Sequence, residues 1–382
     1  MIAPARSAAE THETANRPGR LASAALMPLA EAVGLLTGRV APVPVHSIAV
    51  PDAIGRIAGS DIRAERDSPL HASALRDGWA ARADDIFGAT PYAPILLTRP
   101  LAWVESGAPM PDGTDVVLPS EALEGRAVVA DAPSHDGVRA AGEEIAHGAC
   151  LIAAGARISP LHRLALDVAG LSTVPIRVPS LRLVVTGSAE TECLSAFIAT
   201  LAAAEGATVT DVVGVPDTPD AIAAALRASD DDATFLLGGT GFGRDDQSAA
   251  GLARAGIVLA HGIALKPGGT AGFGEVDGRP VLMLPGHLDA ALSAFLTLGR
   301  PLLAALAGGR SGVPHRAALL RRITSTIGLS EIVFAHREPD GILPLGGADL
   351  PLRSLIEADV AILVAPEAEG HPAGATVAVL PL

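Results

Sequence analysis

From residue 180 onward, apolar strand-like runs alternate with helix-like ones, and this alternation constrains the fold more than any other feature. The runs "LRLVVT", "ATVTDVV", "ATFLLG" and "RPVLMLP" are separated by "CLSAFIATLAAAEG", "PDAIAAALRAS" and "DQSAAGLARAG". Near-continuous apolar strands are those buried on both faces, and the intervening helices are long enough to serve as crossovers between parallel strands. The pattern predicts a doubly wound α/β sheet over residues 178–309, closed by a helix from His287 to Ala307.

In such sheets ligands sit beyond the carboxyl ends of the strands. The loop "GGTGFGRDD", Gly238 to Asp246, follows the strand "ATFLL" and opens a helix, so it occupies that position. Its glycines would let backbone amides approach an oxyanion near the positive end of a helix dipole. Two familiar Gly-rich motifs fail. Gly238 and Gly243 have Walker A spacing, but Arg244 and Asp245 replace the lysine and the hydroxyl residue. A GxGxxG fingerprint from Gly239 and Gly241 would need glycine at 244, and it would belong on the first strand rather than the third. A strand-to-helix turn without a ligand remains the alternative. Two further loops, "KPGG" with Lys266, Pro267 and Gly268, and "LPGHLDAA" with Pro285, Gly286 and His287, share the same glycine-plus-charge character. Lys266 is the one lysine among the 28 basic Lys and Arg residues. A lysine ammonium is a compact point charge suited to a phosphate, and arginine does not reproduce it.

A chain of 382 residues exceeds one core. Residues 1–24 read as a tail, and 25–84 with 137–177 as an N-terminal domain with helices near 25–45 and 159–170. Residues 85–136 read as an inserted β-domain of short strands, and 310–382 as a C-terminal β-domain. The net charge of −14 provides no basic footprint for nucleic acid or an anionic membrane surface. No membrane span and no secretory leader are expected, which suggests a cytoplasmic protein. Cys150 and Cys193, far apart and outside any CxxC pattern, are expected to be buried thiols rather than a disulfide or zinc site.

These motifs resemble, in order and over most of the chain from about residue 25, those of the molybdopterin molybdenumtransferases, the MoeA and gephyrin E-domain family. "GGTGFGRDD" is similar to that family's "GG(S/T)xGxxD", "KPGG" with Phe273 and Gly274 to "KPGKP" with "FG", and "LPGHL" to "LPGNP". Upstream, "ALRDGWA" resembles "SxMDGYA", "SGAPMPDGTDVVLPSE" resembles "TGAPLPxGADAVVxxE", and "GEEIAHGACLIAAGARISP" resembles "GEDIxxGxxLLxxGxxLxP". The resemblance implies four parts: an elongated N-terminal domain, an inserted β-domain, a molybdopterin-binding α/β domain and a C-terminal β-barrel-like domain. It implies a homodimer with the active site between subunits. The implied activity is insertion of molybdate into adenylylated molybdopterin with a divalent metal, Mg2+, and release of AMP.

Carried over residue by residue, the resemblance assigns pterin binding to Thr186, Gly187, Ser188, Gly238, Gly239, Thr240, Gly241, Gly243, Lys266, Pro267, Gly268, Pro285, Gly286 and His287. It assigns catalytic work to Asp77, Glu144, Asp217 and Asp246, with Asp246 also as metal ligand. Carboxylates there would hold a cation or position water. Each also has a plainer reading: Asp217 or Asp246 as a helix N-terminal residue, Glu144 as a surface charge, Asp77 as a turn residue, and Trp79 as core. The family's "TGDEL" is "TGSAE" here, Thr186 to Glu190, and the long loop after it is missing. The asparagine and proline of "LPGNP" are His287 and Leu288. These departures leave open a non-catalytic relative that binds molybdopterin or finished cofactor as a carrier or regulator.

Overall fold

The computed structural model describes residues 26–187, 189–243, 246–310 and 315–382. The expected tail at 1–24, and Ser188, lie outside the described residues.

The α/β alternation folds as a six-stranded sheet. In spatial order its strands are Thr208–Val215, Ser180–Thr186, Ala233–Leu237, Arg279–Leu284, Gly272–Val276 and Ile257–His261. The first four are parallel, and the last two add on antiparallel. Those two, "IVLAH" and "GFGEV", are strands that the sequence pattern did not reveal: two glycines interrupt the apolar run of the second, and the first is a part-exposed edge strand ending in His261.

Inside its exposed edge strand Thr208–Val215, the sheet is covered on both faces, as its apolar strands require. Leu183, Phe235 and Leu282 pack toward Leu194, Ile198 and the final helix. Their neighbours Val184, Leu236, Val281 and Met283 pack oppositely, toward Ile222, Leu226 and Leu252. The period of two along each strand thus feeds two cores. The final helical run, Leu288–Ala307, contains a π-helical turn at Phe295–Gly299. It is long and apolar enough to cross a membrane, but 72% of its apolar window is buried inside the protein, as for a core helix.

The N-terminal helix, expected over 25–45, spans Leu29–Thr37. It packs Leu29 and Leu36 into the same core as the sheet. Met27 pairs by backbone bonds with Gly262 and Ala264, and Val43 donates to the Leu306 carbonyl. The strands His46–Ala49 and Ile57–Ala58 both pair with Thr173–Arg177, and Ile62–Arg63 pairs with Cys150–Ile152, so the segments either side of the insertion come together. The second N-terminal helix, Pro160–Val168, begins with a capping box between Ser159 and His162. Gly78–Ala81, just before the segment expected to form the insertion, pairs with Ala102–Val104 and Val116–Leu118, so this small β unit takes in residues ahead of 85. Ala81, Ile86, Val116, Leu118 and Val128 form a separate core there.

The C-terminal sheet has the order Leu265–Lys266, Ser330–Glu338, Val360–Val364, Thr376–Pro381, His315–Ala318, with Gly341–Gly346 paired to Ser330–Glu338. Its first strand is donated by the α/β domain.

Both cysteines are exposed, contrary to the expectation of buried thiols. Cys150 starts a strand whose burial increases only toward Ile152. Cys193 lies off the helix stripe of Leu194, Ile198 and Ala202 that faces the core.

Candidate functional site

Strand order turns back between Ser180–Thr186 and Ala233–Leu237: the chain leaves the first strand on one side and returns on the other. This is the topological switch point, where open α/β sheets place ligands. Gly238 follows the second of these strands with φ +95°, and a Cβ on it would lie 2.4 Å from the Thr186 carbonyl oxygen. No L side chain fits there. Gly239, φ +57°, is equally confined: a Cβ would stand about 3 Å from Asp217 Oδ1, Ser248 Oγ and Thr186 Oγ1, at 3.0, 3.1 and 3.1 Å.

The three glycine loops converge. The Cβ position of Gly286 lies 3.6 Å from Gly238 Cα, and that of Gly268 lies 3.3 Å from the Ala290 carbonyl. The hydroxyls of Thr240 and Thr270 are 3.2 Å apart. Pro267 and Gly268 are buried, whereas Gly187, Gly286 and His287 are exposed at the mouth. Ser188, between Gly187 and the helix Ala189–Ala204, lies outside the described residues. A single residue therefore separates Gly187 from that helix, which bears out the missing long loop.

Asp246 takes neither a capping nor an outward position. The helix that follows is Ser248–Ala255 with Gln247 at its N-cap. Asp246 Oδ2 instead accepts from the Gly243 amide at 2.9 Å. That oxygen stands 2.8 Å from a Cβ at Gly243, so glycine there accommodates the loop's own carboxylate as well as any ligand. Gly241 meets the same carboxylate. Asp217 does not cap its helix either; Thr218 does, accepting from the Ala221 amide.

Asp77 accepts from the Ser106 amide at 2.7 Å. Glu144 pairs with Arg139 at 2.6 Å. Among the described residues, neither carboxylate is hydrogen-bonded or ion-paired to the glycine loops. Trp79 is half-buried against the core of the insertion and donates to the Ser120 carbonyl.

Lys266 is the first residue of "KPGG", yet it is also a strand residue of the C-terminal sheet, paired in parallel with Glu331. Its ammonium lies 3.3 Å from Glu331 Oε1. The anion-site reasoning from sequence did not foresee this partner, because Glu331 is 65 residues away and marked by no motif.

Several other residues of the loop cluster also escaped the sequence reading. Ser248, fully buried, donates to the Gly238 carbonyl at 2.6 Å. The His261 ring nitrogen Nε2 lies 2.9 Å from the Thr240 carbonyl oxygen, and its ring is 4.9 Å from that of Phe242. Ser248, two residues after Asp246, was the only one with a signal, as a polar residue at a helix start.

Among the described residues, no three His, Cys, Asp or Glu side chains lie close enough to share a metal ion. With one oxygen of Asp246 bonded inside its loop, the donor set does not fit a resident divalent cation.

Fold and loops together define a class: a multidomain protein whose doubly wound domain gathers three glycine-rich loops at its switch point. Comparison with known proteins narrows it. Residues 27–170 match the family model of the MoeA N-terminal region (domain I and II), and residues 186–305 match that of a probable molybdopterin binding domain. The chain is 27% identical over 317 residues to molybdopterin molybdenumtransferase 2 of Mycobacterium tuberculosis, covering 72% of this chain and 78% of the relative. It is 25% identical over 312 residues to the molybdopterin molybdenumtransferase of Haemophilus influenzae, covering 73% and 77%. The crystal structure of a molybdopterin biosynthesis MoeA protein from Pyrococcus horikoshii OT3 superposes with a TM-score of 0.79 at 22% identity, covering 94% of this chain and 100% of that one. The chain belongs to the MoeA family of molybdopterin molybdenumtransferases.

Proposed function

We propose that this protein acts in molybdenum cofactor biosynthesis, inserting molybdate into adenylylated molybdopterin with release of AMP. The convergence of the three loops at the switch point is the observation that carries this reading: Gly238 against Gly286, Thr240 against Thr270, and Gly268 against Ala290.

Glycine at 238 and 239 lets the chain turn sharply where a side chain would fill the space, leaving backbone rather than side chains to meet the phosphates. The helix Ser248–Ala255 adds its positive end. Lys266 supplies a charge to set against a phosphate oxygen, and Asp217, lying against Gly239, is placed to orient water or the incoming oxyanion. Because Asp246 Oδ2 is engaged within its own loop, the chain offers no resident cage, and Asp246 would be the residue to meet magnesium brought in with the substrate.

We place Asp77 and Glu144 in the site of a second copy of the chain, since within one chain their bonds stay in the N-terminal region. A homodimer follows from this reading.

The test is direct. Purified protein given adenylylated molybdopterin, magnesium and molybdate releases AMP and forms cofactor that activates an apo-molybdoenzyme. Tight pterin binding with no AMP release would sink the enzyme reading in favour of a carrier. That second reading is favoured by the short link after Thr186, which lacks the family's acids.

A further inference from the structure

The sole lysine sits where two domains share a strand. Leu265–Lys266 belongs by sequence to the α/β domain, but pairs in parallel with Ser330–Glu331 of the C-terminal sheet, Lys266 directly opposite Glu331. Glu331 is 6% exposed. Both of its oxygens are engaged: Oε1 lies 3.3 Å from the Lys266 ammonium, and Oε2 accepts from the Ser325 hydroxyl at 2.8 Å. A buried carboxylate without such partners would be costly. The lysine side chain, by contrast, is 43% exposed. An ammonium has three donors, and one carboxylate oxygen beside it cannot occupy them all. From Lys266 the chain runs directly into Pro267 and Gly268, then to Thr270, whose hydroxyl touches Thr240 of the main glycine loop.

We infer that Glu331, itself oriented by Ser325, is a positioning residue that holds the Lys266 ammonium at the edge of the glycine loops, ready for a phosphate oxygen. The C-terminal domain thereby contributes to anion binding without touching the ligand. A long, flexible lysine tethered at its head loses less freedom on binding than an untethered one. A domain-stitching ion pair with no role at the site is the competing account. The inference rests on the proposed function for its substrate but not for its main test.

Because the chain has a single lysine, an amine-acylating ester followed by peptide mapping reports on that one side chain. In the intact protein, acylation of Lys266 is slow and is slowed further by pyrophosphate, the probe anion. Glu331→Gln, which preserves shape, speeds acylation roughly tenfold and removes most of the pyrophosphate protection, as expected for loss of a buried ion-pair partner. Ser325→Ala does the same to a smaller degree, and it serves as the test if the glutamine variant does not fold. Glu331→Asp, keeping the charge but one methylene shorter, recovers part of the protection.

Folded Glu331→Gln protein with unchanged acylation and unchanged protection would overturn the inference, as would a lowered melting temperature with protection intact. In the AMP-release assay Glu331→Gln raises KM for the adenylylated pterin about tenfold with kcat little changed. If the unaltered protein releases no AMP while the acylation results hold, the proposed function fails and the positioning role stands.

Discussion

At Gly238 a single hydrogen atom in place of a methyl decides whether the loop can form. Its φ of +95° and the Thr186 carbonyl 2.4 Å from a Cβ leave a methyl group both strained and obstructed. Gly286, in the neighbouring loop, has open space, with the nearest atom 3.6 Å away and no positive φ. Gly238→Ala is therefore expected to cost about 1–3 kcal/mol and to abolish pterin binding, whereas Gly286→Ala changes stability by less than about 0.5 kcal/mol. Urea denaturation of the two variants checks the contrast. The glycines were legible as a cluster in the sequence, but their separate reasons were not. Gly243 borders its own loop's Asp246 carboxylate and Gly239 the Asp217 carboxylate, contacts that exist only once the loop has closed.

Elements differ in how openly the sequence announced them. Three of the four parallel strands were legible because burial on both faces makes them apolar, whereas the fourth, Thr208–Val215, is an exposed edge strand that stood out by its β-branched residues. Ile257–His261 and Gly272–Val276 were not, the first being a part-exposed edge strand and the second carrying two glycines in its run. In the inserted β-domain polar pins add to the apolar core. Asp115 accepts from the Ser134 hydroxyl at 2.7 Å and from the Ala83 amide at 2.8 Å, and these bonds, the hydroxyl first, hold its carboxyl below the usual carboxylate range. A pKa depressed on folding contributes stability that is present above the unfolded value near 3.9 and lost as pH falls through the folded value. The chain's two tryptophans, Trp79 and Trp103, stack edge to face at 5.0 Å in this same unit, so tryptophan fluorescence reports on it alone. Acid titration is expected to leave the signal intact down to about pH 4 and to lose it below. Asp115→Asn should lower the unit's stability at neutral pH and flatten that acid dependence. An acid midpoint unmoved by the substitution would show that Asp115 is not one of the pins.

On the scale of the whole molecule, one core joins three parts of the chain. Leu29 and Leu36 from the N-terminal helix, Phe235 and Leu282 from the sheet, and Ile332, Phe334 and Leu355 from the C-terminal domain belong to the same buried cluster. Polar ties across it are weaker: the Arg39–Glu275 pair at 2.9 Å is part-exposed and is worth less than about 1 kcal/mol. The α/β and C-terminal domains are therefore expected to unfold as one unit, and the inserted β-domain, with its own core, as another. Phe334→Ala should cost about 3–5 kcal/mol and lower the main calorimetric transition while leaving the tryptophan fluorescence transition in place. A tryptophan transition that moved with it would show a single cooperative unit.

The sequence by itself determined the doubly wound sheet, the position of the glycine loops at its strand ends and the family, because apolar periodicity and loop motifs are local properties of the chain. Tertiary structure alone decided what those loops touch. It set Gly238 against Thr186, bent Asp246 back to the Gly243 amide, and paired Lys266 with a carboxylate 65 residues away. Those contacts depend on strand order and on one domain lending a strand to another, and no local pattern encodes either.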